Sequence, residues 1–147
     1  MTLFLAALVV VALDQVGKFF IRANMTPGQS IPEEGFFRIT YVTNVGGAFG
    51  ILGNQAFLIA LTTIVGIAAI LIYARYPPFN RMLVRIALGL LLGGAVGNLI
   101  DRLSFGWVVD FIDIGAWPVF NLADSAIVVG IILIIYYFLF PARRAAS

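Results

Sequence analysis

Four long apolar runs, separated by stretches rich in glycine, proline and polar residues, organise the 147-residue chain. The first, about residues 3–22, has no basic residue in front of it and carries Asp14, Lys18 and Arg22 toward its far end. A cleaved signal peptide has the opposite polarity, so the run is expected to persist as a first helix. Helices are also expected over about 55–75, with Asn54 as N-cap and Pro77-Pro78 as the stop, over about 82–103, and over about 121–140 before Pro141. After the first helix the breakers Pro27, Gly28, Pro32 and Gly35 lead into residues 36–43, whose β-branched and aromatic side chains favour a strand. A glycine-rich loop follows at 44–50, and residues 104–120, Asp110 included, read as irregular.

Composition turns these runs into membrane spans. The chain is 62% hydrophobic and 11% charged, where a soluble domain has roughly 45–50% apolar and about 25% charged residues. Four spans of roughly 20 residues each nearly exhaust the apolar supply, and a fifth is not expected. The expected fold is membrane all-α with four transmembrane helices, in a single integral-membrane domain over 1–147. Arg75, Arg81 and Arg85 around the second short loop, with Arg143 and Arg144 in the tail, place both termini in the cytoplasm and residues 23–54 and 104–120 outside.

The chain has no cysteine and no histidine, which excludes thiol nucleophiles, disulfides, Ser-His-Asp triads and Cys/His zinc sites. Catalysis would have to run on carboxylates, lysine, hydroxyls or amides, and neither cofactor nor metal is expected. Nine Lys+Arg against seven Asp+Glu give a net charge of +2 without a basic stripe, so no nucleic acid is expected as a partner.

Depth arithmetic brings polar residues together. At about 1.5 Å per residue, Lys18 lies roughly 26 Å from Met1, Asp101 roughly 24 Å from Arg85 and Asp124 about 28 Å from Arg143. All three approach the outer edge of a hydrocarbon layer about 30 Å thick. Ionisable groups there are costly, which makes function the default reading. Plainer readings exist for each. Asp14 and Lys18, four apart, suit a structural ion pair; Asn98, Asp101 and Arg102 share a face and could mark a helix interface. Asn121 and Asp124 suit a helix cap, Asn44 before Gly46-Gly47 a turn. Asp110 sits between apolar residues where a solvated loop needs none, whereas Asp113 reads as an ordinary solvated acid. The same residues suit two other functions less well. A serine-lysine protease would use Lys18 with Ser104 or Ser125, but Asp14 favours the charged lysine. An ion pathway would need groups across the membrane, and the second and fourth helices carry no charge between their ends.

Taken in order, Asp14-x-x-x-Lys18, Asn44-x-Gly46-x-Ala48-Phe49, Gly94-x-x-Gly97-Asn98-x-x-Asp101-Arg102, Val109-Asp110-Phe111-Ile112 and Phe120-Asn121-x-Ala123-Asp124-Ser125 resemble the bacterial lipoprotein signal peptidases, also called signal peptidase II. The resemblance covers essentially the whole chain, and five motifs in order are specific. Gly17 stands where the family usually has Ser or Thr, and Gly47 where alanine is common. The resemblance implies an aspartic-type endopeptidase of the bacterial inner membrane, with its active site near the outer leaflet. It would remove signal peptides from diacylglyceryl-modified prolipoproteins, cutting before the lipidated cysteine. Asp110 and Asp124 would be the catalytic pair. Arg102 and Asn44 would hold substrate carbonyls, Asn98 and Asn121 would position acids or substrate, Asp101 would hold Arg102, and Asp14 and Lys18 would brace the first and fourth helices. Residues 36–43 would belong to a small extracytoplasmic β-cradle. The implied partners are the lipid-modified prolipoproteins and membrane lipids, with a monomer as the expected assembly.

Overall fold

A computed structural model describes residues 1–46, 55–76 and 81–140, the side chains of 55–57 aside. The expected cap Asn54, the Pro77-Pro78 stop, the loop residues Gly47, Ala48, Phe49 and Gly50, and the tail residues Pro141, Arg143 and Arg144 lie outside the described residues. Four helices, α1 (Thr2–Asn24), α2 (Gln55–Tyr73), α3 (Met82–Phe105) and α4 (Leu122–Leu139), are joined by three strands, β1 (Ser30–Ile31), β2 (Arg38–Asn44) and β3 (Val108–Asp113). α1, α3 and α4 are long and apolar enough to cross a membrane. The 19 residues of α2 give about 28 Å, and its apolar part Leu58–Tyr73 is shorter. The protein is therefore a helical, multi-pass membrane protein with a small sheet.

α3 is the hub. It packs against each of the other helices, and half of its apolar window is buried, against 22% for α1 and 17% for α4. Phe4, Leu8, Phe19 and Phe20 of α1 and Val128, Ile132 and Ile135 of α4 point outward, as helix faces in lipid do. In lipid the hydrophobic effect does not drive helices together, so close backbone approach must. At Gly89 and Gly93 of α3 an added Cβ would stand 2.5 Å from the Leu3 carbonyl and 2.7 Å from the Ala7 carbonyl of α1. α3 ends at Gly106, whose φ of 81° suits a left-handed C-terminal cap.

Two apolar clusters bracket a polar layer. Leu3, Ala7, Val84, Leu88 and Leu92 pack one end. Ile21, Tyr41, Val109 and Phe111 fasten the far end of α1 to β2 and β3. Between them lie buried Asp14, Lys18, Asn98, Asp101, Asp110 and Asn121.

The sheet has the order β1-β2-β3 and is antiparallel throughout. β3 corrects the expectation that residues 104–120 are irregular. Its alternation is hidden because five of its six residues are buried, so both faces are covered and the run reads as apolar residues interrupted by acids. Asp113 corrects a second expectation, since it is buried rather than solvated. Its carboxylate accepts from Arg38 Nε at 3.0 Å, Thr40 Oγ1 at 2.9 Å and the Gly115 amide at 2.8 Å. The Gly115 amide and Thr40 hydroxyl, with Arg38 behind them, hold its carboxyl below the usual carboxylate range. The departure at Gly17 has a packing reason: a Cβ there would stand 3.1 Å from the Phe111 ring.

Gly93→Ala should lower the melting midpoint in detergent by the equivalent of about 1–3 kcal/mol, because the obstructing atom is backbone and cannot turn aside. Gly66→Ala, which meets nothing within 4 Å, should cost nothing. Equal behaviour of the two variants would show that the α1–α3 approach is not tight.

Candidate active site

α1 places Asp14 and Lys18 one turn apart on the face turned to α3. Lys18 Nζ lies 2.8 Å from Asp14 Oδ2 and 3.1 Å from Asp101 Oδ2, and all three side chains are fully buried. The ammonium also donates to Asn98 Oδ1 at 3.0 Å. Gln15 Nε2 sits within hydrogen-bond distance of Asp14, Asp101 and the Gly97 carbonyl. Arg22 Nη1 lies 3.7 Å from Asp101 Oδ1, its guanidinium 4.7 Å from the centre of the Phe105 ring. Neither Gln15 nor Arg22 emerged from the sequence as a site residue. An amide next to Asp14, in a run with nothing else to solvate it, was the signal for Gln15.

The two buried acids reach outward to other elements. Asp14 Oδ1 accepts from the Ala123 amide of α4 at 3.0 Å, and Asp101 Oδ2 from the Val109 amide of β3 at 3.0 Å. The first bond satisfies one of the orphan amides that every helix N-terminus leaves.

Asn98 connects this cluster to Asp124. A lysine ammonium has only donors, so it must face the Asn98 oxygen, and the amide is thereby oriented. Its Nδ2 then donates to Asp124 Oδ1 at 2.7 Å. Asp124 belongs to a capping box at the start of α4, in which Asn121 Oδ1 accepts from the Asp124 amide and Asp124 Oδ2 from the Asn121 amide. The capping expectation for Asn121 and Asp124 is therefore met, and it coexists with site geometry. Asn121 Nδ2 donates to Asp110 Oδ1 at 2.7 Å and lies 3.0 Å from Asn98 Oδ1. Asp110 and Asp124 thus hang on one network of two amides.

Asp110 lies on β3, not in a loop, and a register slip supplies its second partner, after Asn121. Arg38 faces Asp113 and Ile39 faces Ile112, whereas Val42 faces Asp110 and Asn44 faces Val108. One extra β2 residue lies between the two sets, as in a β-bulge. Without it Tyr41 would oppose Asp110, and Asn44 would point to the other face. With it, Asn44 is the diagonal neighbour of Asp110 and donates Nδ2 to Asp110 Oδ2 at 2.8 Å, while its Oδ1 accepts from the Gly46 amide. Burial, reinforced by the charge of Asp124, pushes the Asp110 carboxyl up to about 6, against the opposing pull of the Asn44 and Asn121 hydrogen bonds.

Arg102 corrects an expectation. The Asp101 oxygens are taken by Lys18, Gln15, Arg22 and the Val109 amide, and Arg102 Nη1 donates instead to the Asn98 carbonyl at 3.4 Å. It lies within electrostatic reach of Asp124, Asp110 and Asp101, in that order. Arg102, Asn98 and Asp124 form the polar end of a cleft of about 370 Å³ whose remaining wall includes Ile59 and Ile70 of α2, Leu91 of α3 and Ile127 of α4. The serine-lysine alternative fits poorly, because Lys18 is committed to three acceptors and Ser125 Oγ donates to the Asn121 carbonyl.

Fold and site define a multi-pass membrane protein whose polar centre, built on carboxylates and amides, opens into an apolar cleft. The sequence matches the model of the Signal peptidase (SPase) II family over residues 6–140. The chain belongs to that family of membrane peptidases. It is similar to the lipoprotein signal peptidase of Moorella thermoacetica, at 51% identity over 97% of this chain and 95% of that one. It is also similar to the lipoprotein signal peptidase of Halothermothrix orenii, at 45% identity over 91% and 92%. A bacterial membrane enzyme solved by the in meso method at 1.9 Å resolution matches with a TM-score of 0.87 and 38% identity, over 95% of this chain and 93% of that one.

Lys18→Met should lower stability by about 3–5 kcal/mol, because it leaves Asp14 and Asp101 buried without their cation. Adding Asp14→Asn should restore part of the loss, since one of the two stranded charges is removed. Thermal unfolding in detergent measures both, and a double variant no more stable than the single one would break the ion-cluster account.

Proposed function

We infer that the protein is an aspartic-type endopeptidase of the bacterial inner membrane, its termini cytoplasmic and its site near the outer leaflet. Its substrates are diacylglyceryl-modified prolipoproteins, from which it removes the signal peptide by cutting before the lipidated cysteine. It acts as a monomeric single domain without metal or cofactor. The observation that carries this reading is the convergence of Asp110 and Asp124, from β3 and α4, on the Asn98–Asn121 amides at the mouth of an apolar cleft lined by Asp124. Membership of the signal peptidase II family supports it.

The two carboxyls do different work. Asp110, whose carboxyl is pushed up to about 6, carries the shared proton and gives it to the scissile carbonyl oxygen. Asp124 serves as the base and takes a proton from the water that attacks the carbonyl carbon. The resulting diol collapses when Asp110 recovers a proton from one hydroxyl and Asp124 delivers its own to the departing nitrogen. The C–N bond breaks, and both carboxyls return to their starting states. Asn44 holds Asp110 with one N–H and has a second for a substrate carbonyl. Arg102 offers a fixed fork of donors at the cleft for the substrate backbone.

Asp110→Asn and Asp124→Asn should each reduce cleavage of a diacylglyceryl-modified prolipoprotein at least about 100-fold while the protein stays folded in detergent. Substantial turnover by either variant would remove the dyad. The wild-type kcat/KM should fall as pH rises through about 6, since ionisation of Asp110 removes the proton donor. Asn44→Ala deletes a bond that favours the ionised form, so its alkaline limb should move to higher pH; a shift to lower pH would contradict this assignment.

Arg102→Lys should weaken binding of a non-cleavable lipobox peptide, because lysine replaces a planar fork with a compact charge. Unchanged affinity and turnover would reduce Arg102 to an interface anchor.

A further inference from the structure

At the end of the molecule opposite the carboxylate network, a cleft of about 510 Å³ opens between the start of α1, the last turn of α2 and the first turn of α3. Leu3, Phe4, Leu71 and Ala74 supply an apolar wall, and Arg75 and Arg85 line it with two cations. Arg85 is half-buried and Arg75 exposed. The ion pairs found among the described residues belong to Lys18, Arg22 and Arg38, not to these two arginines. The chain offers them no carboxylate side chain nearby. Its seven acids are Asp14, Glu33, Glu34, Asp101, Asp110, Asp113 and Asp124. Asp14 stands about 20 Å up α1 from Met1, and Asp101 about 24 Å up α3 from Arg85. The others lie beyond α1, in β3 or at the start of α4.

Among the described residues the cleft therefore presents two guanidinium groups without an ion-pair partner beside hydrocarbon. Its level is marked independently by Tyr73 and Tyr76, whose rings pack 6.2 Å apart on either side of Arg75 in the sequence, since tyrosines concentrate at the headgroup boundary of membrane proteins. The first turn of α3 adds to the positive field: its N-cap, Arg81, makes no side-chain cap, so its amides also favour an anion.

We propose that this cleft is a binding site for the phosphodiester headgroup of an anionic phospholipid, with Arg75 and Arg85 on the phosphate and an acyl chain along Leu3, Phe4 and Leu71. Basic pockets between transmembrane helices on the cytoplasmic side suit such headgroups. Free phosphate would use the arginines but not the apolar wall. The basic leading segment of a signal peptide would be repelled.

The full-length protein in detergent is titrated with short-chain phosphatidylglycerol, phosphatidylcholine of the same chain length, and inorganic phosphate, with binding read by native mass spectrometry and by the shift in melting midpoint. Phosphatidylglycerol should bind at least several-fold more tightly than phosphatidylcholine. The double variant Arg75→Gln/Arg85→Gln should lose affinity for phosphatidylglycerol by roughly 10- to 30-fold, at about 1 kcal/mol per basic residue near the surface. Arg75→Lys/Arg85→Lys should keep most of the preference and controls for folding. Equal binding of both lipids, or an unchanged preference in the glutamine variant, overturns the site. Stabilisation by inorganic phosphate matching that of the anionic lipid overturns the lipid as its ligand. Both readouts are independent of peptide cleavage, so they stand or fall separately from the proposed chemistry.

Discussion

A single buried cation sets the arrangement of the polar layer. The Lys18 ammonium is fully buried, has three hydrogens to place and accepts nothing. It takes Asp14, Asp101 and Asn98 as its neighbours, and each neighbour passes the constraint on. Asp14 holds the first turn of α4, Asp101 holds the start of β3, and Asn98 turns its amide hydrogens to Asp124. One side chain of α1 thereby fixes how three other elements meet. A buried ion cluster of this kind gains little net stability, because desolvation offsets attraction, but breaking it is expensive. Its value here is geometric: it sets the positions of β3 and α4 relative to each other where Asp110 and Asp124 hang on the Asn121 and Asn98 amides.

The sheet contributes the complementary constraint. β3 carries two acids three residues apart, which alternate strand geometry sends to opposite faces. Each nevertheless finds a polar partner on β2, Arg38 and Thr40 for Asp113 and Asn44 for Asp110. The extra residue between Ile39 and Val42 makes this possible. Asp113 locks the register at the outer end of the strand pair, which keeps the slip in place and Asn44 on the correct face. The acid that looked solvated is thus what aims the amide beside Asp110.

What the sequence made legible follows the physics of each signal. The helices were readable because apolar runs of span length leave few alternatives. Helix four begins one residue later than its pattern because Asn121 is the cap rather than the first turn. That Lys18, Asp101 and Asp124 share one level followed from helical rise, and the structure brings Lys18 within 3.1 Å of Asp101 and joins it to Asp124 through Asn98. β3 stayed hidden because burial on both faces removes the alternation that identifies a strand. The α1 partners of Asp101 and the bulge in β2 depend on how elements pack across more than 60 residues of sequence, and no local pattern encodes that. Gln15 was visible as a polar residue in an apolar run, but its significance lies in the three acceptors around it.

Local electroneutrality bears directly on the state of the acid pair. Four carboxyls, those of Asp14, Asp101, Asp110 and Asp124, share the layer with three cations, Lys18, Arg22 and Arg102. With every group ionised, the layer would hold one unbalanced negative charge beside hydrocarbon, which low dielectric makes costly. Binding one proton brings three negative charges against three positive ones. Asp14 and Asp101 each have the Lys18 ammonium within 3.1 Å. Asp124 faces Arg102 more strongly than Asp110 does. Among the described residues no cation forms an ion pair with Asp110; it is bonded instead to neutral amides from Asn44 and Asn121, and burial pushes its carboxyl up to about 6. The single protonation that the proposed two-carboxyl chemistry needs is therefore also the one that brings this layer to neutrality.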